Sequence, residues 1–61
     1  MTPRNKAIGE LNNSGYTLKR NGGKHDIYYN PDTKYSIPLK RGDFDEDDLR
    51  YIRKEIQKGG R

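Results

Sequence analysis

The sequence predicts an α+β domain of order α-β-β-β-α, a three-stranded antiparallel sheet with both helices on one face. Three observations predict it. Apolar residues recur at helical spacing near each end of the chain. They alternate with polar residues across the middle. Turn residues interrupt that middle region twice.

The first helix is expected over about residues 3–13. Pro3 suits a first helical turn, and Thr2 before it can cap the helix. Ala7, Ile8 and Leu11 make one apolar stripe, and Gly15 after Asn12-Asn13-Ser14 supplies a left-handed stop. Tyr16-Thr17-Leu18-Lys19-Arg20 alternates as a strand does. Asn21-Gly22, where both residue types tolerate positive φ, predicts a tight hairpin into a second strand, Lys24-His25-Asp26-Ile27-Tyr28-Tyr29. Asn30-Pro31-Asp32-Thr33 reads as a turn with Pro31 pre-set for it. Tyr35-Ser36-Ile37-Pro38-Leu39 is then a third strand, placed at a sheet edge because Pro38 has no N–H to donate. After Lys40-Arg41-Gly42, Asp45 can cap a second helix, with Asp48 three residues on completing a capping box. Leu49, Ile52 and Ile56 give this helix one apolar face, its acidic first turn and basic later turns suit the helix dipole, and Gly59-Gly60 ends it.

Sixty-one residues make a single domain, spanning 1–61. Domains this small bury only about 60% of their unfolded surface and are marginally stable alone. With no cysteine and one histidine, disulfides and cysteine- or histidine-rich metal sites are excluded, and neither a metal nor a cofactor is expected. A hydrophobic fraction of 28% is low enough to suggest disorder, but the clean periodicity argues for a fold. No apolar run is long enough to span a bilayer, and Met1–Lys6 lacks a hydrophobic signal region. Together with the absence of cysteine, this predicts a cytoplasmic chain.

The net charge of +4 is unevenly distributed. Residues 1–42 carry eight Lys/Arg against three acids, residues 43–48 carry five acids and no base, and residues 49–61 carry five bases against one acid. Basic surfaces of this kind attract polyanions by displacing condensed counterions, although lysines also keep small domains in solution. The acidic run opens like a calcium loop at Asp43, Asp45 and Asp47. It fails where glycine is needed (Asp48) and where a bidentate glutamate is needed (Lys54), so helix-start charge is its expected role. Glu10, Asp26 and Asp32 are scattered and form no acid–base pair. The five tyrosines are expected mostly in packing, with one or two free to stack on bases.

His25 remains. By strand parity it shares a face with Ile27 and Tyr29, while Lys24, Asp26 and Tyr28 point the other way. If Ile27 faces the core, His25 lies at the core's rim and can be a histidine hydrogen-bonded to backbone. Against that role, imidazole is the only side-chain type that ordinarily titrates near neutral pH, and Arg20, Lys24 and a glycine-rich turn flank this one. Cleavage of RNA by its own 2′-hydroxyl needs a base and a stabiliser of negative charge, and no metal.

The segment Leu11–Pro31 resembles the HicA (YcfA-like) toxin family, which has a helix, a Gly-aromatic pair, an Arg, and a Gly-Ser-His segment leading into an apolar strand and a turn. Gly15-Tyr16, Arg20, Gly23-Lys24-His25, Ile27-Tyr28-Tyr29 and Asn30-Pro31 occupy those places, with Lys24 standing where serine is usual. Pro38 matches the family's proline, and Leu49-Arg50-Tyr51-Ile52-Arg53-Lys54 resembles its closing helix. The resemblance implies a double-stranded-RNA-binding-domain-like fold, endoribonuclease cleavage of mRNA, and neutralisation by a HicB-type antitoxin. It implies that His25 is catalytic and carries the family's glycine and basic residue to Gly23 and Arg20. Lys24 and Arg20 are then expected to hold the scissile phosphate, with Gly23 and Lys19 extending the RNA contact. The rival expectations are an RNA-binding module on the same fold with a structural His25, and a plain protein-interaction domain.

Overall fold

All five expected elements form. The computed structural model describes residues 2–59 and contains α1 (Pro3–Asn13), β1 (Thr17–Asn21), β2 (His25–Asn30), β3 (Tyr35–Lys40) and α2 (Glu46–Gly59). The sheet is antiparallel in the order β1-β2-β3, so Pro38 lies on an edge strand as its missing donor requires.

Local chemistry fixes the ends of α1. The Thr2 hydroxyl accepts from the Asn5 N–H at 3.2 Å. At the other end Gly15 adopts φ 91°, its N–H donates to the Asn12 carbonyl, and the Tyr16 N–H donates to the Leu11 carbonyl at 2.8 Å. These two bonds make a Schellman motif, whose usual apolar contact is supplied by the fully buried Leu11 and Tyr16. Tyr16 is therefore part of the helix stop, and β1 begins one residue later than the alternation suggests.

The hairpin also departs from the sequence pattern. Neither Asn21 nor Gly22 has positive φ. Asn21 is still in β1, opposite Asp26, and the Gly22 N–H donates to the His25 carbonyl at 2.7 Å, which leaves Gly23 and Lys24 at the tip. The cause is a bulge between Leu18 and Arg20: Lys19 is an extra residue in β1, and it shifts the turn along the chain. At the second turn, buried Asn30 does the work expected of an Asx residue. Its Oδ1 accepts from the Asp32 and Thr33 N–H groups, and its Nδ2 donates to the Ser14 carbonyl beside α1.

α2 starts with the reciprocal bonds of a capping box. The Asp48 N–H donates to Asp45 Oδ1, and the Asp45 N–H donates to Asp48 Oδ2, each at 3.1 Å. Leu49 and Ile52 are buried and Ile56 packs beside them. Gly59 is itself buried inside the last turn. A Cβ there would collide with the Tyr16 hydroxyl and the Tyr35 ring, so this glycine is needed for packing as well as for any helix stop. Gly60, the second residue of that expected stop, lies outside the described residues.

One sheet face carries the whole core. Tyr28, Ile37 and Leu39 pack with Ala7 and Leu11 of α1, Tyr16, and Leu49 and Ile52 of α2. The opposite face, with His25, Ile27 and Tyr29 on β2 and Ser36, Pro38 and Lys40 on β3, has no helix over it. β1 is exposed throughout and Leu18 is 49% accessible, because α2 lies over β3 and α1 packs mainly on α2. No helix among the described residues is long and apolar enough to cross a membrane.

Candidate functional site

The parity of β2 is as expected, but the face is the other one. Its inward residues are Asp26, Tyr28 and Asn30, so Ile27 and His25 lie on the open face, and His25 is exposed. The hydrophobicity of Ile27 is misleading here because the two polar inward residues are fully provided with partners. Asn30 serves the turn, and Asp26 receives the Arg4 guanidinium at 2.7 Å and Arg41 Nε at 2.9 Å. The rim-of-core placement is thereby corrected. Among the described residues no hydrogen bond holds the imidazole of His25; its backbone carbonyl accepts from the Gly22 N–H.

The residues paired across the sheet define what surrounds the imidazole. Lys40 lies directly opposite His25 on β3, and Arg20 lies opposite Ile27 on β1, so all three share the open face. Gly23 and Lys24 form the adjoining hairpin tip. Lys19 belongs to the same surface at its far end, with its ammonium 4.4 Å from the centre of the Tyr29 ring. Tyr29 lies four positions beyond His25 in β2, about 13 Å of strand at ~3.3 Å per residue. Thus Gly23, Lys24 and His25 are brought together, Arg20 shares the open face at the position opposite Ile27, and Lys19 extends a cationic track away from them.

Availability of charge distinguishes these cations. Among the described residues Arg20 and Lys24 have no carboxylate partner, whereas Arg41 is committed to Asp26 and Lys40 Nζ lies 3.3 Å from the Asp43 carbonyl and 3.7 Å from Asp48. A cleft of about 370 Å³ runs between the hairpin tip and the loop after β3, lined by Gly23, Lys24, His25, Lys40, Arg41, Gly42 and Asp43, so three cations and one carboxylate face it. The Arg41 N–H donates to the Lys24 carbonyl across its base.

Sequence reasoning missed Asp26, Lys40, Arg41 and Gly22. Asp26 ties three pieces together: the first turn of α1 through Arg4, the start of β2, and the loop after β3 through Arg41. The Arg4 Nε also donates to the Lys40 carbonyl. The one available signal was an acid at an inward position of a strand with arginines elsewhere in the chain, and it does not say which arginines meet it. No group of three His, Asp or Glu side chains among the described residues is arranged to hold a metal ion.

The bonds from Arg41 and Arg4 hold the Asp26 carboxyl below its ordinary value of 3.8, against the opposing effect of burial. Arg53 does the same for Glu10 chiefly by hydrogen bonding, and the Asp48 backbone N–H does so for Asp45. A lowered native pKa means the unfolded chain binds more protons near pH 4, so stability rises with pH there. The melting midpoint is expected to be flat between about pH 5 and 7 as far as these carboxyls control it, and to fall below about pH 4. Circular dichroism melts along a pH series measure this, and Asp26→Asn should shallow the acid limb.

Gly22 and Gly23 make a second test. A Cβ on Gly22 would stand 2.6 Å from the His25 carbonyl oxygen, the atom its own N–H engages, whereas a Cβ on Gly23 meets nothing within 4 Å. Gly22→Ala is expected to displace the start of β2 and cost about 1–3 kcal/mol, as forced overpacking does. Gly23→Ala is expected to leave the fold within about 0.5 kcal/mol, as for an unhindered surface change. Urea titration of both variants checks the contrast, and equal effects would contradict it.

No family model matches the chain, and neither the curated proteins nor the solved structures compared with it include a match.

Proposed function

We propose that this chain is an endoribonuclease toxin that cleaves mRNA without a metal, in the manner its resemblance to the HicA family implies. The observation that supports this most is the exposed imidazole of His25 on a helix-free sheet face, with Lys24 next to it at the hairpin tip and Arg20 opposite Ile27 on β1; among the described residues the imidazole has no hydrogen bond and neither cation has a carboxylate partner. In the proposed step His25 takes the proton of a ribose 2′-hydroxyl, whose oxygen attacks the adjacent phosphorus. Lys24 and Arg20 stabilise the extra negative charge of the phosphorane. The 5′-oxygen leaves with a proton from solvent or from the imidazolium, giving a 2′,3′-cyclic phosphate and a 5′-hydroxyl. With one histidine the two proton transfers are not divided between two imidazoles, and turnover is slow.

The same reading assigns the chain to the cytoplasm, with a HicB-type antitoxin as its inhibitory partner. An antitoxin covering the open face would block His25 and add stability to a small domain by mass action.

The test is incubation of the purified chain with single-stranded mRNA in excess EDTA. Fragments ending in a cyclic phosphate are expected. RNA that is bound at low salt but never cut would replace the nuclease with an RNA-binding module, and absence of binding at low salt would favour a protein-interaction domain.

A further inference from the structure

Two hollows meet at His25 and Lys40. The first is the cleft beside Lys24 and Arg41 described above. The second, about 150 Å³, opens on the other side and is walled by Pro38, Phe44, Asp48 and Tyr51. His25 and Lys40 therefore form a ridge between a cationic, glycine-flanked cleft and an aromatic one. The division matches the chemistry of one nucleotide, which has an anionic phosphate at one end and a flat π-face at the other, with the ribose between them.

We propose that the hollow between Phe44 and Tyr51 seats the unpaired nucleobase on the 5′ side of the cleaved phosphate, and so sets the preference for the cutting site. This rests on the nuclease reading. A ribose spanning the ridge brings its 2′-hydroxyl to His25 when its base is in the aromatic hollow and its 3′-phosphate is in the cationic cleft. Tyr51 is 50% exposed and so leaves ring face for a ligand, while Phe44 is anchored against the core and gives the pocket a fixed wall. Stacking on such rings tolerates any base. Discrimination comes from Asp48, whose carboxylate can only accept hydrogen bonds and is held in place by the Asp45 N–H. It favours bases that present an exocyclic amino group, namely adenine, cytosine and guanine, over uracil.

Two measurements on the intact chain test this. In the first, nucleoside 3′-monophosphates are titrated while the ring resonances of Tyr51 and Phe44 are followed by NMR. Adenosine, cytidine and guanosine 3′-monophosphates are expected to shift both rings at lower concentration than uridine 3′-monophosphate does. This readout needs no turnover, so it stands even if the chain proves not to cleave RNA. In the second, cut sites in a mixed-sequence RNA are mapped for the wild type, Tyr51→Ala and Tyr51→Phe. Tyr51→Ala is expected to lower kcat/KM roughly tenfold, within the range that loss of one base stack gives, and to flatten the preference 5′ of the cut. Tyr51→Phe, which keeps the ring, is expected to retain both. Unshifted rings, or cutting whose rate and preference are the same in Tyr51→Ala, would overturn the assignment while leaving the nuclease reading intact.

Discussion

His25→Ala is expected to reduce RNA cleavage by about 10²–10⁴-fold, the usual range for removing a positioned general base, while leaving the melting midpoint unchanged. The second half of this expectation comes from the structure. The side chain is exposed, sits on the uncovered face and is bonded to nothing among the described residues, so its loss opens no cavity and orphans no polar group. RNA affinity should fall little, since Arg20 and Lys19 remain on that face and Lys24 remains at the adjoining hairpin tip. The measurements are single-turnover cleavage, a salt-titrated binding isotherm and a thermal melt on the same preparation. Full cleavage by the variant would remove His25 from the chemistry. A parallel loss of stability and activity would mean that the residue acts through the fold. For growth arrest on expression, the outcome should follow cleavage and not binding.

Leu49→Ala is expected to have the largest effect on folding. Leu49 is almost completely buried in the single core, directly after the capping-box residue Asp48, where α2 lies on β3. Truncating a buried leucine costs about 2–5 kcal/mol, through lost transfer free energy and the cavity left behind. A chain of this length has about 3–9 kcal/mol of stability in all, at the usual ~0.05–0.15 kcal/mol per residue. One substitution can thus remove half of it or more. At about 4–8 °C per kcal/mol the midpoint should drop by roughly 8 °C at the least. Urea unfolding at 25 °C measures the change. A loss below about 1 kcal/mol would show that the eight-residue core relaxes around the vacancy.

The two helices and the order of the strands were legible because each rests on local chemistry. Thr2 and Pro3 start α1, Gly15 stops it, and Asp45 with Asp48 starts α2, all within four residues of the groups they serve. The hairpin tip was not legible, since the bulge at Lys19 adds a residue to β1 without any glycine or proline to mark it. The face of β2 was misread for a different reason. Period-two parity says which residues share a side but not which side is covered, and the apolar Ile27 outweighed Asp26 in that choice. Only long-range partners, Arg4 from one end of the chain and Arg41 from beyond β3, make an inward carboxylate tolerable. His25 and its neighbours Arg20, Gly23 and Lys24 could be named because they are close in sequence. Lys40 could not, since it reaches His25 only through the β2–β3 register.

The exposure of β1 has a dynamic consequence. With no helix resting on it, this strand is retained by its ladder to β2 and by little apolar contact, so its amides are expected to be the least protected of the sheet in hydrogen exchange. It is also the strand that presents Lys19 and Arg20. A polyanion gripping those two side chains quiets a breathing edge, and some of the attraction is spent in ordering it. Under the proposed function, RNA affinity is therefore expected to depend on the looseness of this strand as well as on the number of charges on it.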